Sequence, residues 1–443
     1  MNTRSAAIVI LAVSAILLAG CRGPGGGDGP ASAAAVAAVK VKPGVEVLLE
    51  KRLDLVAGKR IGLITNPTGT DSRLAATVDL LRAAPGVDLV ALYGPEHGIR
   101  GNAQAGEYVP YYIDGTTGLP VFSLYGQSMK PAPGMLTDID AYMRSFDTRA
   151  EGKAPEAAMV KGIDALVFDI QDVGTRVYTY VATMAYAMQA AAEAGLEFIV
   201  LDRPNPLGGA VMEGPVLEYP AFSSFIGLYP VPLRHGLTAG ELALMINDRF
   251  LEPKVQLTVV PMEGWTRGLW FDGSGLPWII PSPNMPTLDT AVVYPGLVAI
   301  EGTNMSEGRG TTRPFEQFGA PWIDAARLTR TLNALALPGV TFREAWFTPY
   351  FSKFQGQLCG GCQVHVTDRE AFRSVATILH ILKAVREAHP AEFAFHGDYF
   401  DKVMGTDAVR RALEAGTPVA DILAGLEPGL AAFDALRKPY LLY

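Results

Sequence analysis

Short apolar runs alternate with segments of helical spacing through the first 260 residues of the chain. The runs predict buried strands at Arg60–Asn66, Val87–Tyr93, Val121–Leu124, Asp164–Phe168, Glu197–Leu201 and Val255–Val260. Helices are predicted between them at Val45–Leu55, Leu74–Leu81, Val177–Ala194 and Thr238–Phe250. Because strands and helices alternate with short connections, the pattern predicts an α/β fold with a parallel sheet and helices on both faces.

A loop at Gly275–Pro286 contains four prolines and interrupts this alternation. Proline lacks a backbone N–H and fixes φ, so this loop resists regular structure. With 443 residues, the chain is longer than one hydrophobic core usually serves. The sequence therefore predicts a larger domain at 44–290 and a smaller α+β C-terminal domain at 291–443. In the second domain, the capping box Thr367–Glu370 predicts the start of a helix.

The first 43 residues do not have the pattern of a folded domain. A positively charged start and an apolar stretch lead into Leu18–Ala19–Gly20–Cys21, which resembles a bacterial lipobox with Cys21 as the lipidated residue. The sequence thus predicts a lipoprotein signal peptide at 1–21, with an ordinary signal peptide or an uncleaved anchor as alternatives. Glycine and alanine at 22–43 predict a flexible linker. We expect an exported, membrane-anchored lipoprotein that faces the cell-wall compartment, either the periplasm or the cell surface.

Two cysteines remain after Cys21, in the run Cys359–Gly–Gly–Cys362. In an exported protein a local disulfide is the first expectation, and free thiols are the alternative. A zinc site with His365 as third ligand lacks a nearby fourth ligand, and the run lacks the strand–helix context of a redox centre.

Composition and charge exclude one class of partner. The chain has 49% hydrophobic and 19% charged residues, which is typical of a globular protein, and its formal net charge is −8. Nucleic-acid-binding proteins neutralise phosphates with a basic face. We therefore expect no nucleic-acid partner.

Polar side chains follow four of the predicted strands, in loops rich in glycine or proline. They are Asn66, Glu96, Asp169 with Asp172, and Asp202 with Asn205. The carboxyl ends of parallel strands meet at one edge of the sheet, where ligands bind in open α/β folds. Any one of these residues is equally well explained as a polar residue at the end of a strand. Four in succession favour a binding site.

Several chemistries have no sequence support. There is no G-x-S-x-G, Walker A or H-E-x-x-H motif, and the first strand is followed by Asn66–Gly69 instead of G-x-G-x-x-G. The carboxylates that remain are suited to glycoside hydrolysis, which needs one protonated and one ionised group. Glu96 is the candidate acid, because an apolar strand precedes it. Asp169 and Asp172 are candidates for the ionised partner. Alternatively, they could bind a metal ion together with His97. If there is no metal, His97 would orient Glu96 or form a hydrogen bond to the backbone.

Four arginines share these loops: Arg100, Arg176, Arg203 and Arg309. Each by itself is better explained as half of an internal ion pair. As a cluster they indicate an anionic group on the substrate.

Five segments carry a resemblance to a known family: Gly94–Gly101, Asp169–Arg176, Leu201–Pro206, Pro281–Pro286 and Glu301–Thr311. In these motifs, and over the chain from Val45 to Tyr443, the sequence resembles the exo-β-N-acetylmuramidase family. The resemblance implies a Rossmann-like N-terminal domain, a smaller C-terminal domain, and an active site in the cleft between them. It also implies release of terminal non-reducing N-acetylmuramic acid from peptidoglycan fragments. We expect neither a cofactor nor a bound metal. Glu96 falls on the glutamate that is proposed as catalytic in that family.

We therefore expect Glu96 and Asp169 to be catalytic. The candidate substrate-binding residues are Asn66, His97, Arg100, Asp172, Arg176, Asp202, Arg203, Asn205, Asn284, Glu307 and Arg309. The lactyl carboxylate of muramic acid would account for arginines in the cleft. If the acetamido group of the substrate is the nucleophile, Asp169 would orient it instead of attacking. A sugar-binding lipoprotein without turnover and a metal-dependent hydrolase remain alternative functions.

Overall fold

The computed structural model describes residues 41–104, 106–107, 109–126, 129–146 and 162–443. The predicted signal peptide and most of the linker, with Cys21, lie outside the described residues. Within the described ranges, no helix combines the length and the apolar character that crossing a bilayer requires.

A central sheet of seven strands organises the N-terminal part of the chain. Its strands are β1 (Arg60–Thr65), β2 (Asp88–Gly94), β3 (Tyr112–Ile113), β4 (Pro120–Ser123), β5 (Ala165–Asp169), β6 (Glu197–Leu201) and β9 (Gln256–Val260). Across the sheet their order is β3-β4-β2-β1-β5-β6-β9. All neighbouring pairs are parallel except the edge strand β3, which runs antiparallel to β4. Each predicted strand is found within one residue of its predicted bounds, so the α/β fold with a parallel sheet is confirmed.

The described helices pack on both faces of this sheet and around the C-terminal part. They are α1 (Gly44–Lys51), α2 (Thr77–Ala83), α3 (Pro133–Thr137), α4 (Ile139–Phe146), α5 (Tyr180–Ala194), α6 (Ala239–Arg249), α7 (Leu288–Leu297), α8 (Ala325–Ala334), α9 (Ser374–Ala388), α10 (Gly397–Met404), α11 (Ala408–Glu414) and α12 (Val419–Arg437). Side chains alternate along a strand, so each strand contributes to two cores. On β1, Ile61 and Leu63 pack with Leu48 of α1, whereas Ile64 belongs to the core that contains Met184 of α5.

Two smaller sheets complete the described fold. Strands β7 (Glu213–Val216) and β8 (Pro232–Arg234) form an antiparallel pair, and β10 (Gln317–Ala320), β12 (Cys359–Val366) and β11 (Val340–Phe347) form an antiparallel sheet in that order. Helix α8 packs on this second sheet and on α9. The capping-box prediction for α9 is wrong: Asp368 accepts hydrogen bonds from the N–H groups of Glu370 and Ala371, which form a turn, and the helix begins at Ser374.

The expected disulfide is also wrong, because Cys359 and Cys362 are free and buried. They lie three residues apart on β12, so their side chains leave the strand on opposite faces. Burial raises the pKa of each thiol to about 11. Both cysteines therefore act as small apolar core residues rather than as reactive thiols.

The end of the chain returns to the first sheet. Arg437 donates to the carbonyl oxygens of Gly209 and Gly236 at 3.1 and 3.0 Å, and the Tyr443 hydroxyl donates to Asp202 at 2.8 Å. Residues 41–443 belong to one compact unit. The domain boundary at 290/291 stays a prediction.

Candidate active site

A cavity of about 680 Å³ lies beyond the carboxyl end of β2. Loops from both parts of the chain line it, including residues 177–180, 282–285 and 301–315. Among the described residues, its ionisable side chains other than tyrosines are Glu96, His97, Glu301, Glu307 and Arg309. The described aromatic side chains that line it are Tyr125, Tyr178, Tyr180, Phe225, Tyr294, Phe315, Phe351 and Tyr399. A large cavity with few charged groups and many aromatic rings has the character of a small-ligand site.

Glu96 is held in the cavity by neutral donors. One carboxylate oxygen accepts from the N–H of Gly106 at 3.1 Å, and the other accepts from the hydroxyl of Thr179 at 2.8 Å. Burial and the nearby Glu96 carboxylate raise the pKa of Tyr125, so that hydroxyl stays protonated and can hydrogen-bond to Glu96. The sharp turn that brings Glu96 here requires Gly94, because a Cβ there would lie 3.0 Å from the backbone N of Ile99.

His97 adopts the left-handed conformation, with φ of 74°, which is uncommon for a residue with a side chain. Its Nδ1 lies 2.7 Å from the carbonyl oxygen of Ala103. Since a carbonyl only accepts, Nδ1 carries the proton, and Nε2 of the neutral ring keeps its lone pair. Burial lowers the pKa of His97, against the opposing effects of the Ala103 carbonyl and Glu96. The cavity therefore holds a neutral imidazole with a fixed tautomer.

Arg309 occupies the wall formed by the C-terminal part of the chain. Its Nη2 and Nε donate to one oxygen of Glu301 at 2.6 and 3.2 Å, and the Tyr399 hydroxyl donates to the other oxygen at 2.9 Å. Nε also lies 3.4 Å from Glu307, and the guanidinium is 5.1 Å from the ring centre of Phe315. Among the described residues, Nη1 of Arg309 has no hydrogen-bond partner. One edge of the guanidinium is thus available to a ligand.

Asp169 does not reach the cavity. It is fully buried, and Arg203 donates to both of its carboxylate oxygens at 2.5 and 2.9 Å, with a further hydrogen bond from Thr77 at 2.5 Å. Each of these two charges is satisfied by the other inside the protein. The catalytic role of Asp169 and the substrate contact of Arg203 stay predictions.

Asp202 and Asn205, at the end of β6, are also internal. Asp202 accepts from the Thr238 hydroxyl and the Gly240 N–H at the start of α6, and burial raises its pKa to about 6. The Asn205 side chain bonds the carbonyl oxygen of Leu237 at 2.9 Å. These two residues hold loops in place and do not line the cavity. Their substrate-binding roles stay predictions.

Asn66 and Asp172 have the same kind of internal role. The Asn66 side chain accepts from the N–H and the hydroxyl of Thr68, and Asp172 accepts from the Gly174 N–H at 2.7 Å. Asp172 also lies 3.4 Å from Nε2 of the buried His235. Neither lines the cavity, and their substrate-binding roles stay predictions.

Two more arginines point elsewhere. Arg100 pairs with Asp114 at 2.6 Å. Arg176 is buried, donates to the carbonyl oxygens of Pro215, Val231 and Val403, and has its pKa lowered to about 9 by burial. Of the four arginines predicted to bind an anionic substrate, only Arg309 lines the cavity. Of the other three, Arg100 and Arg203 pair with the buried carboxylates of Asp114 and Asp169, and Arg176 donates to buried carbonyl oxygens.

Comparison with known proteins identifies the family. The profile described as "Exo-beta-N-acetylmuramidase NamZ, N-terminal" matches residues 61–148 and 143–289, and the profile described as "Exo-beta-N-acetylmuramidase NamZ, C-terminal" matches residues 292–443. The chain belongs to the exo-beta-N-acetylmuramidase NamZ family. Both the recognition of this family and the prediction of a glycoside hydrolase are confirmed.

Relatives of the NamZ family match along most of their length. The peptidoglycan beta-N-acetylmuramidase NamZ of Bacillus subtilis (strain 168) is 51% identical over 405 residues, which cover 91% of this chain and 92% of that protein. Crystal structures of two DUF1343 family proteins from Bacteroides fragilis NCTC 9343 share the fold. One has a TM-score of 0.80 at 39% identity, and the other has 0.68 at 30%; each match covers 91% of this chain and 99% of the other.

The sequence analysis missed several cavity residues of this NamZ-family chain. Glu301 begins the glycine-rich motif that was noted in the sequence, but its role is clear only once Arg309 is seen beside it. Thr179, Tyr125 and Tyr399 lie outside the motifs and carry no sequence signal. In the described parts of the chain, no three His, Cys, Asp or Glu side chains are grouped so as to hold a metal ion. Asp169, Asp172 and His97 therefore do not form the metal site of the alternative hypothesis.

Proposed function

We propose that this protein is an exo-acting β-N-acetylmuramidase in which Glu96 is the general acid/base. Its substrate would be the terminal non-reducing N-acetylmuramic acid of peptidoglycan fragments. The observation that carries the proposal is the position of Glu96: it lines the large cavity, and its hydrogen-bond donors among the described residues are neutral. The activity of the Bacillus subtilis relative, at 51% identity, supports the same reaction.

The surroundings of Glu96 suit proton transfer to a glycosidic oxygen. The Thr179 hydroxyl and the Gly106 N–H each donate to one oxygen of the Glu96 carboxyl group and fix its orientation in the cavity. From this position Glu96 would donate a proton to the leaving oxygen, and the resulting carboxylate would then take a proton from the attacking water.

Arg309 is proposed to bind the lactyl carboxylate. Among the described residues it is the only lysine or arginine that lines the cavity, and its Nη1 is available. Glu301 and Phe315 hold the guanidinium from the other sides, so little side-chain freedom is lost when a carboxylate binds. A carboxylate on the substrate would complete the hydrogen bonding of this group.

Asn284 is proposed to bind the acetamido group. Its side chain lines the cavity and has no hydrogen-bond partner among the described residues. An amide side chain offers both a donor and an acceptor, which match the carbonyl and N–H of an acetamido group. Asp169 is buried in an ion pair with Arg203 and does not line the cavity. A residue of the cavity wall is therefore the better candidate to orient the acetamido group.

The test compares the wild-type protein with Glu96→Gln on a chromogenic β-muramide. We expect a loss of activity of about 10²- to 10⁴-fold, the usual contribution of general acid/base catalysis. The matched control is Glu344→Gln, an exposed carboxylate on β11, which should retain wild-type activity. Full activity in Glu96→Gln would remove Glu96 from the mechanism. Saturable binding of the muramide by the wild type without hydrolysis would indicate a sugar-binding protein instead.

We also propose that Cys21 carries the lipid that anchors the protein to a membrane facing the cell-wall compartment. Support comes from the Leu18–Cys21 sequence and the apolar stretch before it. Mass spectrometry of the N-terminal peptide from the membrane fraction should find a diacylglycerol-modified Cys21. Cys21→Ala should lose this modification and leave that fraction. Membrane-bound protein with an unmodified Cys21 would contradict the proposal.

A further inference from the structure

The degree of exposure distinguishes the interior of the cavity from its mouth. Among the aromatic residues that line it, Tyr180 and Phe315 are 2% and 1% exposed, whereas Phe351 and Tyr399 are 38% and 41% exposed. The exposed pair therefore marks the mouth. An exo-acting enzyme encloses the terminal sugar, so the rest of the saccharide must leave through this opening.

The loop between β11 and β12, residues 348–358, forms one side of the mouth; we call it the rim loop. It places Phe351 and Ser352 against the cavity. The residue before them, Tyr350, does not line the cavity and is the most exposed large hydrophobic side chain in the described structure, at 85%. A bulky aromatic ring in water next to a ligand cavity is an unburied apolar surface that a ligand can cover.

The rim loop is held in a strained conformation. Ser352 and Phe354 have φ values of 71° and 57°, in the left-handed region that residues with side chains seldom adopt. Between them, the Lys353 ammonium donates to the carbonyl oxygens of Ile300, Glu301 and Met305, at 3.1, 3.1 and 3.0 Å. Strained backbone persists where its surroundings fix it, and it is concentrated at functional sites.

A second attachment fixes the start of the loop. The N–H of Tyr350 donates to the carbonyl oxygen of Gly310 at 2.8 Å, and a Cβ on Gly310 would collide with the backbone of Phe351. Gly310 is the neighbour of Arg309, so the loop that carries the proposed carboxylate receptor also positions the rim aromatics. The backbone that carries the two rings is thus fixed relative to the cavity, and little backbone order has to be gained on binding.

We propose that Tyr350 and Phe351 form a binding subsite for the sugar ring that follows the terminal one, on the leaving-group side of the scissile bond. The inference rests on the proposed function, because it assumes that a terminal sugar fills the cavity. One face of a pyranose ring presents mainly C–H groups and packs well on an aromatic ring. The neutral, aromatic rim suits such an uncharged hexosamine better than a charged peptide.

The test measures binding in the Glu96→Gln background, where turnover is suppressed. The probes are free N-acetylmuramic acid and the disaccharide in which it is β-linked to N-acetylglucosamine, and the method is isothermal titration calorimetry. We expect Tyr350→Ala to weaken disaccharide binding about tenfold, which corresponds to about 1.4 kcal/mol, while binding of the monosaccharide changes less than about twofold. Tyr350→Trp should restore disaccharide binding, because a stacking surface is kept.

Trp346→Ala is the matched control, since Trp346 is an exposed aromatic (58%) that lies on β11, outside the rim loop. It should leave both affinities unchanged. Unchanged disaccharide binding in Tyr350→Ala, or an equal loss in Trp346→Ala, would overturn the subsite. If the wild type binds both sugars but hydrolyses no muramide, the proposed function fails. The subsite is then still tested by whether Tyr350→Ala loses affinity for the disaccharide and not for the monosaccharide. No binding of either sugar would overturn both.

Discussion

Arg309 illustrates how surrounding residues prepare one side chain for a ligand. Glu301 and Glu307 face its Nε and Nη2 side, Phe315 packs on its plane, and Nη1 is left open. A guanidinium fixed in this way has only one edge for a carboxylate, which gives direction as well as charge. The arrangement would select a sugar with a carboxylate substituent over the same sugar without it.

Arg309→Met should therefore change specificity. We expect kcat/KM on a β-muramide to fall about 10- to 100-fold, the value of a charge-assisted hydrogen bond, while any residual activity on the matching β-N-acetylglucosaminide stays the same. Steady-state kinetics on both chromogenic substrates checks this. Arg100→Met is the control, because Arg100 pairs with Asp114 outside the cavity. Equal losses on both substrates would show that Arg309 supports the fold and not the lactyl group.

His97 should make stability depend on pH. Burial lowers its pKa in the folded protein below the ordinary 6.5, so the unfolded chain binds more protons in the window beneath 6.5. Stability should fall as pH drops through that window and be fully present above it. Glu96, Arg309 and the Ala103 carbonyl are the charged or polar groups that act on the ring.

His97→Asn removes this titration and keeps a residue that tolerates the left-handed conformation. Urea unfolding at pH 7 and pH 5 should show a smaller loss of stability in the variant than in the wild type. An identical pH dependence in the two proteins would mean that His97 titrates normally.

At the level of strands and loops, the carboxyl ends of β5 and β6 are joined to each other. Asp169 ends β5, Arg203 follows β6, and Thr77 at the start of α2 completes the group. A buried ion pair of this kind is costly to break, because the remaining charge has no water around it. These charges therefore position the loops around the site without entering it.

Asp169→Asn should destabilise the protein by about 3–5 kcal/mol, since Arg203 loses its charged partner in the interior. Urea denaturation followed by circular dichroism measures this loss. The specific activity of the fraction that remains folded should stay within a few-fold of the wild type. A folded Asp169→Asn protein with activity reduced 100-fold or more would restore the catalytic role first expected for Asp169.

Over the whole molecule, the last residues connect the C-terminal part to the first sheet. Tyr443 donates to Asp202, accepts from the N–H of Met262 at 2.8 Å, and packs edge-on against Trp265 with ring centres 5.1 Å apart. Residues of both parts also line the cavity. Their relative position must be maintained for the site to exist, and this contact contributes to it.

Tyr443→Phe keeps the ring and removes both hydrogen bonds of the hydroxyl. We expect a loss of about 1–3 kcal/mol, because the Asp202 carboxylate and the Met262 N–H each lose a partner. Thermal unfolding should remain a single transition, with equal calorimetric and van't Hoff enthalpies. Two separate transitions would show that the parts unfold independently. Tyr440→Phe, at a more exposed contact with Asp248, serves as the milder comparison.

The amino-acid sequence was sufficient to predict the α/β architecture and two residues of the cavity, Glu96 and His97. Period and length of the apolar runs located the strands of the parallel sheet, because burial on both faces leaves a continuous apolar pattern. The motif at Gly94–Gly101 likewise predicted Glu96 and His97 as site residues, because its glycines permit a tight turn at the end of the strand.

Tertiary structure alone decided which charges face a ligand. Asp169 and Glu96 both lie at the carboxyl ends of strands and look equivalent in sequence. Asp169 nevertheless meets Arg203 in the interior, whereas Glu96 lines the cavity and accepts from the Thr179 hydroxyl and the Gly106 N–H. Arg309 pairs with Glu301, 8 residues before it, and Tyr399 donates to the same Glu301 from 98 residues further along the chain. Folding brings such side chains together, and spacing along the chain carries no record of a partner as distant as Tyr399 is from Glu301, or Arg203 from Asp169.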